Sequence, residues 1–141
     1  MNSSSPISLS YIESKLMKFF FENAEKELYE KEVRKKAGVS AGAANKYLKV
    51  LGQKGLLLQE KKGRMNFYRL NREDILVKQI KKAHTLSLPF ISKIKEVFVD
   101  GKIEISLYGS AARGEDTEKS DIDLLVIGNI EPVELEKNFP W

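Results

Sequence analysis

Residues 103–127 constrain the fold more than any other part of this chain, because they place two apolar segments around a glycine–serine pair and a polar loop. Residues 103–107 alternate apolar and polar side chains and therefore predict a strand. Gly109 can adopt backbone angles that other residues avoid, and Ser110 is expected to open a short helix over 111–113. Residues 121–127 end in Leu-Leu-Val-Ile, a run typical of a buried strand. The block predicts strand, tight turn, short helix, loop and second strand.

Asp121 and Asp123 begin that second predicted strand. Since side chains at positions i and i+2 of a strand point to the same face, we expect the two carboxylates to lie together, roughly 7 Å apart. Such a pair is costly to bury unless a cation joins it, and Mg²⁺ is commonly held by one or two carboxylates and substrate phosphates. The start of the short helix and the Ser110 hydroxyl offer donors that suit a phosphate. The pattern predicts a site for a nucleoside triphosphate and magnesium.

The motif Gly109-Ser-Ala-Ala-Arg-Gly114, followed after six residues by Asp121-Ile-Asp-Leu-Leu-Val126, resembles the signature of the minimal nucleotidyltransferases. These belong to the DNA polymerase β-like nucleotidyltransferase superfamily. The resemblance implies that Gly109, Ser110 and Arg113 bind the triphosphate, and that Asp121 and Asp123 are the catalytic, magnesium-binding carboxylates. It also implies transfer of a nucleoside monophosphate, with ATP the expected donor, to a protein, nucleic acid or small molecule. Because such enzymes are often antitoxins, a toxin-like protein is an expected partner.

The resemblance also implies a third carboxylate on a later strand, whereas the block ends at residue 127 of 141. Glu131, Glu134 and Glu136 follow, but their surroundings are typical of a loop and a short helix, which favours solvated surface charges. Two interpretations stay open: a fragment of a longer protein, or a natural remnant that kept the fold and lost the activity. The apolar ending 139–141 favours the fragment. We expect this chain alone to be inactive or nearly so.

Charge divides the chain into two unlike halves. Residues 1–86 contain 18 Lys/Arg and 9 Asp/Glu, whereas residues 87–141 contain 6 Lys/Arg and 11 Asp/Glu. A basic half favours a polyanionic partner, and an acidic half favours metal binding. The chain has no Cys, no signal-peptide pattern and no apolar run of membrane-spanning length, so we expect a cytoplasmic protein.

Apolar spacing in the basic half predicts helices over 11–24 and 28–37, a turn at Gly38, and a third helix that Ser40 caps and that runs to about residue 54. Strands over 56–60 and 65–70 flank a basic turn. This order is that of a winged helix-turn-helix, and residues 28–58 resemble the helix-turn-helix of bacterial and archaeal transcriptional regulators. The residues expected to contact double-stranded DNA are Ser40, Asn45, Lys46 and Lys49 on the recognition helix and Lys61, Lys62 and Arg64 on the wing.

The predicted fold class is α+β, with a winged helix over 1–72, a linker helix over 73–88 and the start of a nucleotidyltransferase fold over 89–141. The first interpretation of function is a DNA-binding regulator, expected to be a homodimer, whose second module binds a nucleoside triphosphate with Mg²⁺. The alternative is a nucleotidyltransferase. A protein-interaction role for the winged helix and a purely structural second module also stay open. His84 is expected to be an ordinary helix residue.

Overall fold

The computed structural model describes residues 6–97 and 103–129, which form an α+β structure. The expectations for residues 130–141, including Glu131, Glu134 and Glu136, lie outside the described residues. In chain order the elements are α1 (Tyr11–Phe21), β1 (Leu28–Tyr29), α2 (Glu30–Ala37), α3 (Ala41–Gln53), β2 (Leu57–Lys62), β3 (Met65–Leu70), α4 (Ile75–Leu86), α5 (Pro89–Val97), β4 (Glu104–Tyr108), α6 (Gly109–Ala112) and β5 (Asp123–Ile127).

The helices of the N-terminal half begin and end where local chemistry dictates. Ser10 caps α1 in a reciprocal capping box with Glu13, in which each backbone amide donates to the other residue's side chain. Gly38 ends α2 in the left-handed conformation, with φ of 69°. Ser40 then caps α3 by accepting a hydrogen bond from the Ala43 amide at 3.1 Å. The predicted turn at Gly38 and the predicted cap at Ser40 are confirmed.

Residues 28 and 29 form strand β1, so the prediction that they belong to the second helix is wrong. Leu28 pairs with Tyr68 and Tyr29 with Phe67, both antiparallel, which gives a three-stranded sheet in the order β1-β3-β2. Pairing with the free edge of β3 buries Leu28, and this burial outweighs the local helical spacing of the apolar residues. At the other edge, β2 and β3 form a hairpin that turns at residues 63–64, with Gly63 at φ of 62°.

One apolar core joins α1, α2, α3, the three-stranded sheet and α4. Burying a large aliphatic or aromatic side chain contributes roughly 1.5–3 kcal/mol, and this core holds many of them. Its members include Leu16, Met17, Phe20, Val33, Leu48, Leu51, Leu56, Leu57, Tyr68, Leu70 and Val77. Because Val77 belongs to α4, the helix predicted as a linker packs directly on the N-terminal half.

Strands β4 and β5 form a separate antiparallel pair. Leu107 pairs with Leu124 and Ile105 with Val126, on a face that is buried or half-buried. Leu125 and Ile127 lie on the opposite face and are 44% and 54% exposed. The prediction of a buried β5 is therefore wrong within the described residues. A run of four apolar residues resembles a strand buried on both sides, but here only one face is covered.

Within residues 6–97 and 103–129, no helix has the length and apolarity needed to cross a membrane.

Candidate functional site

Gly109 and Asp123 meet at one end of the β4–β5 pair. Tyr108, the last residue of β4, lies opposite Asp123, the first residue of β5. The next residue, Gly109, has φ of 58°, and a Cβ atom there would lie 2.7 Å from Asp123 Oδ2. Glycine is therefore required twice, once by the left-handed backbone and once by the approach of the carboxylate. The turn predicted to bind phosphate and a carboxylate predicted to bind magnesium lie in direct contact.

Asp121 precedes β5, so the prediction that both carboxylates stand within one strand is corrected. The pairing ends at Tyr108 because the chain turns at Gly109 into α6, and residues 121–122 have no partner strand among the described residues. The argument from strand alternation therefore does not apply to Asp121, and its closeness to Asp123 stays a prediction. Asp121 and Asp123 are both exposed.

The loop from α6 to β5 is held by its own backbone. Ser110 O accepts the amides of Arg113 and Glu115 at 3.1 and 3.0 Å, and Ala111 is fully buried. Ser120 Oγ accepts the Thr117 amide at 2.9 Å and so helps to close the loop. Ser110 thus stands in a turn that local hydrogen bonds brace.

Arg113 pairs with a neighbouring carboxylate rather than pointing freely toward a phosphate. Its Nε donates to Glu115 Oε2 at 2.9 Å, and both side chains are largely exposed. This hydrogen bond from Arg113 holds the pKa of Glu115 below its ordinary value. A triphosphate at the turn would have to compete with Glu115 for the guanidinium, so the role of Arg113 stays a prediction.

The carboxylates suit Mg²⁺, which prefers oxygen ligands and commonly keeps several waters. Asp123 is exposed, and it lies beside the Gly109 backbone, where no side chain fits. This arrangement would allow a magnesium ion and a phosphate to approach the carboxylate. Among the described residues no group of three or more His, Cys, Asp or Glu side chains lies close enough together to hold a metal ion. The assignment of Asp121 and Asp123 as magnesium ligands therefore stays a prediction.

The residues predicted to contact DNA fall into two groups, those already engaged within the fold and those that are not. Asn45 Nδ2 donates to Glu30 at 3.4 Å, and its Oδ1 accepts from Lys49 at 3.3 Å. Lys62 forms an ion pair with Glu27 and lies over the Phe67 ring at 4.9 Å. The hydrogen bond with Glu27 raises the pKa of Lys62. The side chains of Asn45, Lys49 and Lys62 would have to exchange these partners for DNA.

Ser40 is committed to its helix cap, and Lys46 lies over the neighbouring Tyr47 ring at 5.1 Å. Lys61 and Arg64 are exposed at the hairpin tip and have no ion pair among the described residues. A cavity of about 320 Å³ lies between the start of α2 and the hairpin, well away in sequence from Gly109. Its lining includes the cations Lys31, Arg34 and Arg64. Of these, only Arg64 was predicted to contact DNA.

The sequence alone did not reveal two buried ion pairs. Glu13 binds Lys54 at 2.7 Å, and Lys81 binds Asp116 at 2.6 Å. A signal for Glu13 was visible, because Ser10 and Glu13 have the spacing of a capping box. Lys81 lies four residues from both Val77 and Thr85, which are buried on the same helix. Predicting either pair would have required knowing which distant segments meet.

Comparison with known proteins supports the predicted chemistry of the C-terminal half. Residues 91–140 match the family profile of the nucleotidyltransferase domain, and this range contains Gly109, Ser110, Arg113, Asp121 and Asp123.

One relative is a protein of Methanocaldococcus jannaschii that is provisionally named a protein adenylyltransferase. It is 55% identical to this chain over 38 residues, which are 27% of this chain and 26% of the relative. The match thus spans about a quarter of the relative's length. No solved structure matches the chain significantly.

Proposed function

We propose that residues 89–141 belong to a nucleotidyltransferase module that moves a nucleoside monophosphate from a nucleoside triphosphate to an acceptor. The observation that carries the proposal is the contact between the Gly109 backbone and the Asp123 carboxylate. A turn that binds phosphate and a carboxylate that binds magnesium must be adjacent, because an ion held by the carboxylate would neutralise charge on the phosphates. The match of residues 91–140 to the nucleotidyltransferase domain supports the same chemistry.

In the proposed reaction an acceptor oxygen attacks the α-phosphorus, the bond to the leaving pyrophosphate breaks, and the acceptor proton passes to solvent. Ser110 would donate its hydroxyl hydrogen bond to the triphosphate, and the bare backbone of Gly109 would allow the phosphates close to the main chain. Asp121 and Asp123 would hold magnesium, which neutralises charge on the phosphates when bound. The acceptor is proposed to be a protein hydroxyl, in keeping with the name of the relative.

Magnesium-dependent nucleotide binding tests the assigned site directly. We expect the wild-type chain to bind ATP more tightly with Mg²⁺ than without it in isothermal titration calorimetry. Asp123→Asn should remove that difference, because the ion loses a charged ligand. Glu118→Gln is the matched control, since Glu118 is an exposed carboxylate of the same loop, and it should behave as wild type. Equal dependence on Mg²⁺ in wild type and Asp123→Asn would refute the assignment of Asp123.

Transfer itself is tested with ATP labelled at the α-phosphate and candidate protein acceptors. Because this chain alone is expected to be nearly inactive, label on an acceptor should be weak, but it should require Mg²⁺, disappear in Asp123→Asn and persist in Glu118→Gln. A toxin-like acceptor and a homodimer stay predictions. Label above background that is equal in all three proteins would contradict the proposal, whatever the binding experiment shows.

We also propose, as a second function, that residues 1–72 form a winged helix that contacts double-stranded DNA, joined by residues 73–88 to the module. The element order and the β1-β3-β2 sheet support it. The specific observation in its favour is the cavity beside the hairpin, where Lys31, Arg34 and Arg64 outnumber Glu30. Cations that lack carboxylate partners within the fold are available for phosphates.

Salt-dependent binding of a fluorescent duplex tests this second proposal. Arg64→Gln should weaken binding and lower the slope of log K against log salt by about one, because one phosphate contact is lost. Lys119→Gln is the control, since this exposed lysine belongs to the C-terminal half, and its slope should stay that of wild type. A slope that does not depend on Arg64, or a wild type with no salt-sensitive binding, would contradict DNA contact.

A further inference from the structure

Helix α4 has two faces that contact different parts of the molecule. Leu76, Val77 and Ile80 pack into or against the N-terminal core. Lys78 and Lys81 instead contact the segment that follows α6, through Glu115 and Asp116. Burial along this helix does not follow hydrophobicity, because Ile75 is 76% exposed and Lys81 is buried. A helix with two contacts of this kind can transmit the position of one part to the other.

The first contact is between two backbones. Gly114 has φ of 66°, and a Cβ atom at this position would lie 2.1 Å from the carbonyl oxygen of Lys78. No side chain fits there, so the loop lies directly on α4. Gly114 is also the last residue of the motif Gly109-Ser-Ala-Ala-Arg-Gly114, and the close packing of the loop against the helix explains why glycine is needed at this position.

The second contact is a buried ion pair. Lys81 Nζ lies 2.6 Å from Asp116 Oδ1, and the two side chains are 5% and 10% exposed. Asp116 Oδ1 has no hydrogen-bond partner among the described residues, so Lys81 contacts it as an ion pair without hydrogen-bond geometry. Removing one partner of such a pair leaves an uncompensated buried charge, which is strongly destabilising. Lys78 and Glu115 form a looser pair at 3.5 Å, more open to water, and such pairs contribute little.

The anchored segment is joined to the candidate site by short backbone bonds. The Glu115 amide donates to Ser110 O at 3.0 Å, and the Gly114 amide donates to Ala111 O at 3.2 Å. A displacement of Asp116 from α4 would therefore pull on the turn that carries Ser110. Since the Gly109 backbone also touches Asp123, the position of that carboxylate relative to the turn would change as well.

We propose that Lys81 and Asp116 are positioning residues for the nucleotide-binding turn, and that α4 attaches this turn to the N-terminal half. This inference rests on the proposed nucleotidyltransferase function for its consequence, which is that triphosphate affinity depends on a lysine outside the motif. The neighbouring face of the same helix is part of the N-terminal core. The turn is therefore held by a helix that the matched range 91–140 does not include.

Two variants break the pair in different ways, and one leaves it intact. Lys81→Met removes the cation of the pair, and Asp116→Asn removes its anion. Lys78→Met leaves the pair intact and removes a cation one helical turn away, which makes the looser contact with Glu115. Each full-length variant is compared with wild type by amide hydrogen exchange in NMR and by titration with ATP and Mg²⁺. Leu48→Ala, which loosens the remote core, controls for a general loss of stability. All measurements are made at a temperature where each variant is folded.

We expect Lys81→Met and Asp116→Asn to speed exchange of the amides of residues 110–115 by at least about 10-fold, while the amides of α3 are unchanged. ATP affinity should fall by a similar factor. Lys78→Met should change either quantity by less than about twofold, and Leu48→Ala should speed exchange in α3 rather than in the turn.

Unchanged turn amides in both pair variants would overturn the inference. Equal loosening of the turn in Leu48→Ala would do the same, because it would show general destabilisation. A wild type that does not bind ATP would count against the proposed function alone, since the exchange measurement still reports on the turn.

Discussion

The N-terminal half and the β4–β5 region bury their apolar side chains to very different extents. Phe20, Leu48 and Leu51 are fully buried in a core enclosed by helices and a sheet. The β4–β5 pair covers one face only and exposes Leu125 and Ile127 on the other. The first region holds its shape by its own core, whereas the second owes the position of its turn to a helix of the first. The difference teaches that the candidate site cannot be understood from its motif alone.

Glycines show the same contrast on a smaller scale. Gly63 and Gly55 have positive φ with no atom near the place of a Cβ, so they serve only the geometry of their turns. Gly109 and Gly114 have similar φ values, but there a carboxylate and a backbone carbonyl approach the main chain closely. In the N-terminal half glycine allows the chain to turn, and in the C-terminal half it also allows two groups to meet.

The largest expected loss of stability comes from breaking the buried pair between Glu13 and Lys54. Lys54→Met leaves Glu13 buried without its cation, and we expect the free energy of unfolding to fall by about 3–5 kcal/mol. Urea denaturation followed by circular dichroism measures this. Lys49→Met replaces an exposed lysine of α3, the helix that ends just before Lys54, and should change stability by less than about 0.5 kcal/mol. Similar values for the two variants would show that the pair does not stabilise the core.

A matched pair of leucines tests the contrast between the regions directly. Leu48→Ala opens a cavity in the closed core, and we expect a loss of about 2–5 kcal/mol. Leu125 is 44% exposed, so Leu125→Ala removes less buried area and should cost less than about 1 kcal/mol. Thermal denaturation of both variants checks the difference. If Leu125→Ala proved as destabilising as Leu48→Ala, the open face of β5 would have to be covered in solution.

The fold of the N-terminal half could be predicted largely from local signals. Ser40 as a cap and Gly38 as a helix end act through neighbouring backbone, so the sequence carries them within a few residues. Strand β1 could not be predicted in this way, because Leu28 becomes a strand only when it meets Tyr68, forty residues away. Pairing with a distant edge overrode the local helical pattern.

The candidate site divides along the same line. Gly109 and Asp123 were predictable as chemical groups, since their types and spacing indicate phosphate and magnesium binding. Their contact depends on the register of β4 and β5, which is set by pairing and not by spacing. Lys81 and Asp116 were not predictable, because neither residue belongs to a motif and their closeness depends on how α4 meets the loop.

Replacement of the two kinds of glycine sharpens the contrast at moderate effect. Gly63→Ala and Gly109→Ala share the strain of a left-handed alanine, about 1–2 kcal/mol. Only Gly109→Ala also forces Asp123 to move, so it alone should abolish the effect of Mg²⁺ on ATP binding. Calorimetric titration with and without Mg²⁺ distinguishes the two variants. In urea denaturation, their free energies of unfolding should differ by no more than about 1–3 kcal/mol. Mg²⁺-dependent binding that survives in Gly109→Ala would remove the reason given for this glycine.

The smallest expected effect concerns His84, where α1 meets the helix that carries Lys81. Its ring lies 5.3 Å from the Phe21 ring. Burial lowers the pKa of His84; Lys18 and Lys81 act in the same direction, whereas Glu22 and Asp116 oppose them. The folded protein therefore favours the neutral ring, while the unfolded chain takes up a proton near pH 6.5. Stability should be unaffected by this group above that pH and should fall as pH drops from about 6.5 toward the lower folded pKa.

Because His84 is only half-buried, solvent screening limits the loss to a few tenths of a kcal/mol. His84→Phe keeps an aromatic ring against Phe21 and removes the titration, so its stability should stay flat between about pH 5 and 7 relative to wild type. The range stops at about pH 5 because Glu13 titrates at lower pH. Burial raises the pKa of Glu13, but hydrogen bonds from Lys54 and Ser10 outweigh it and hold this pKa below its ordinary value. The stability that the Glu13 carboxylate contributes is therefore lost only below about pH 4.5. Identical pH profiles for wild type and His84→Phe would show that protonation of His84 does not act on the contact between α1 and α4.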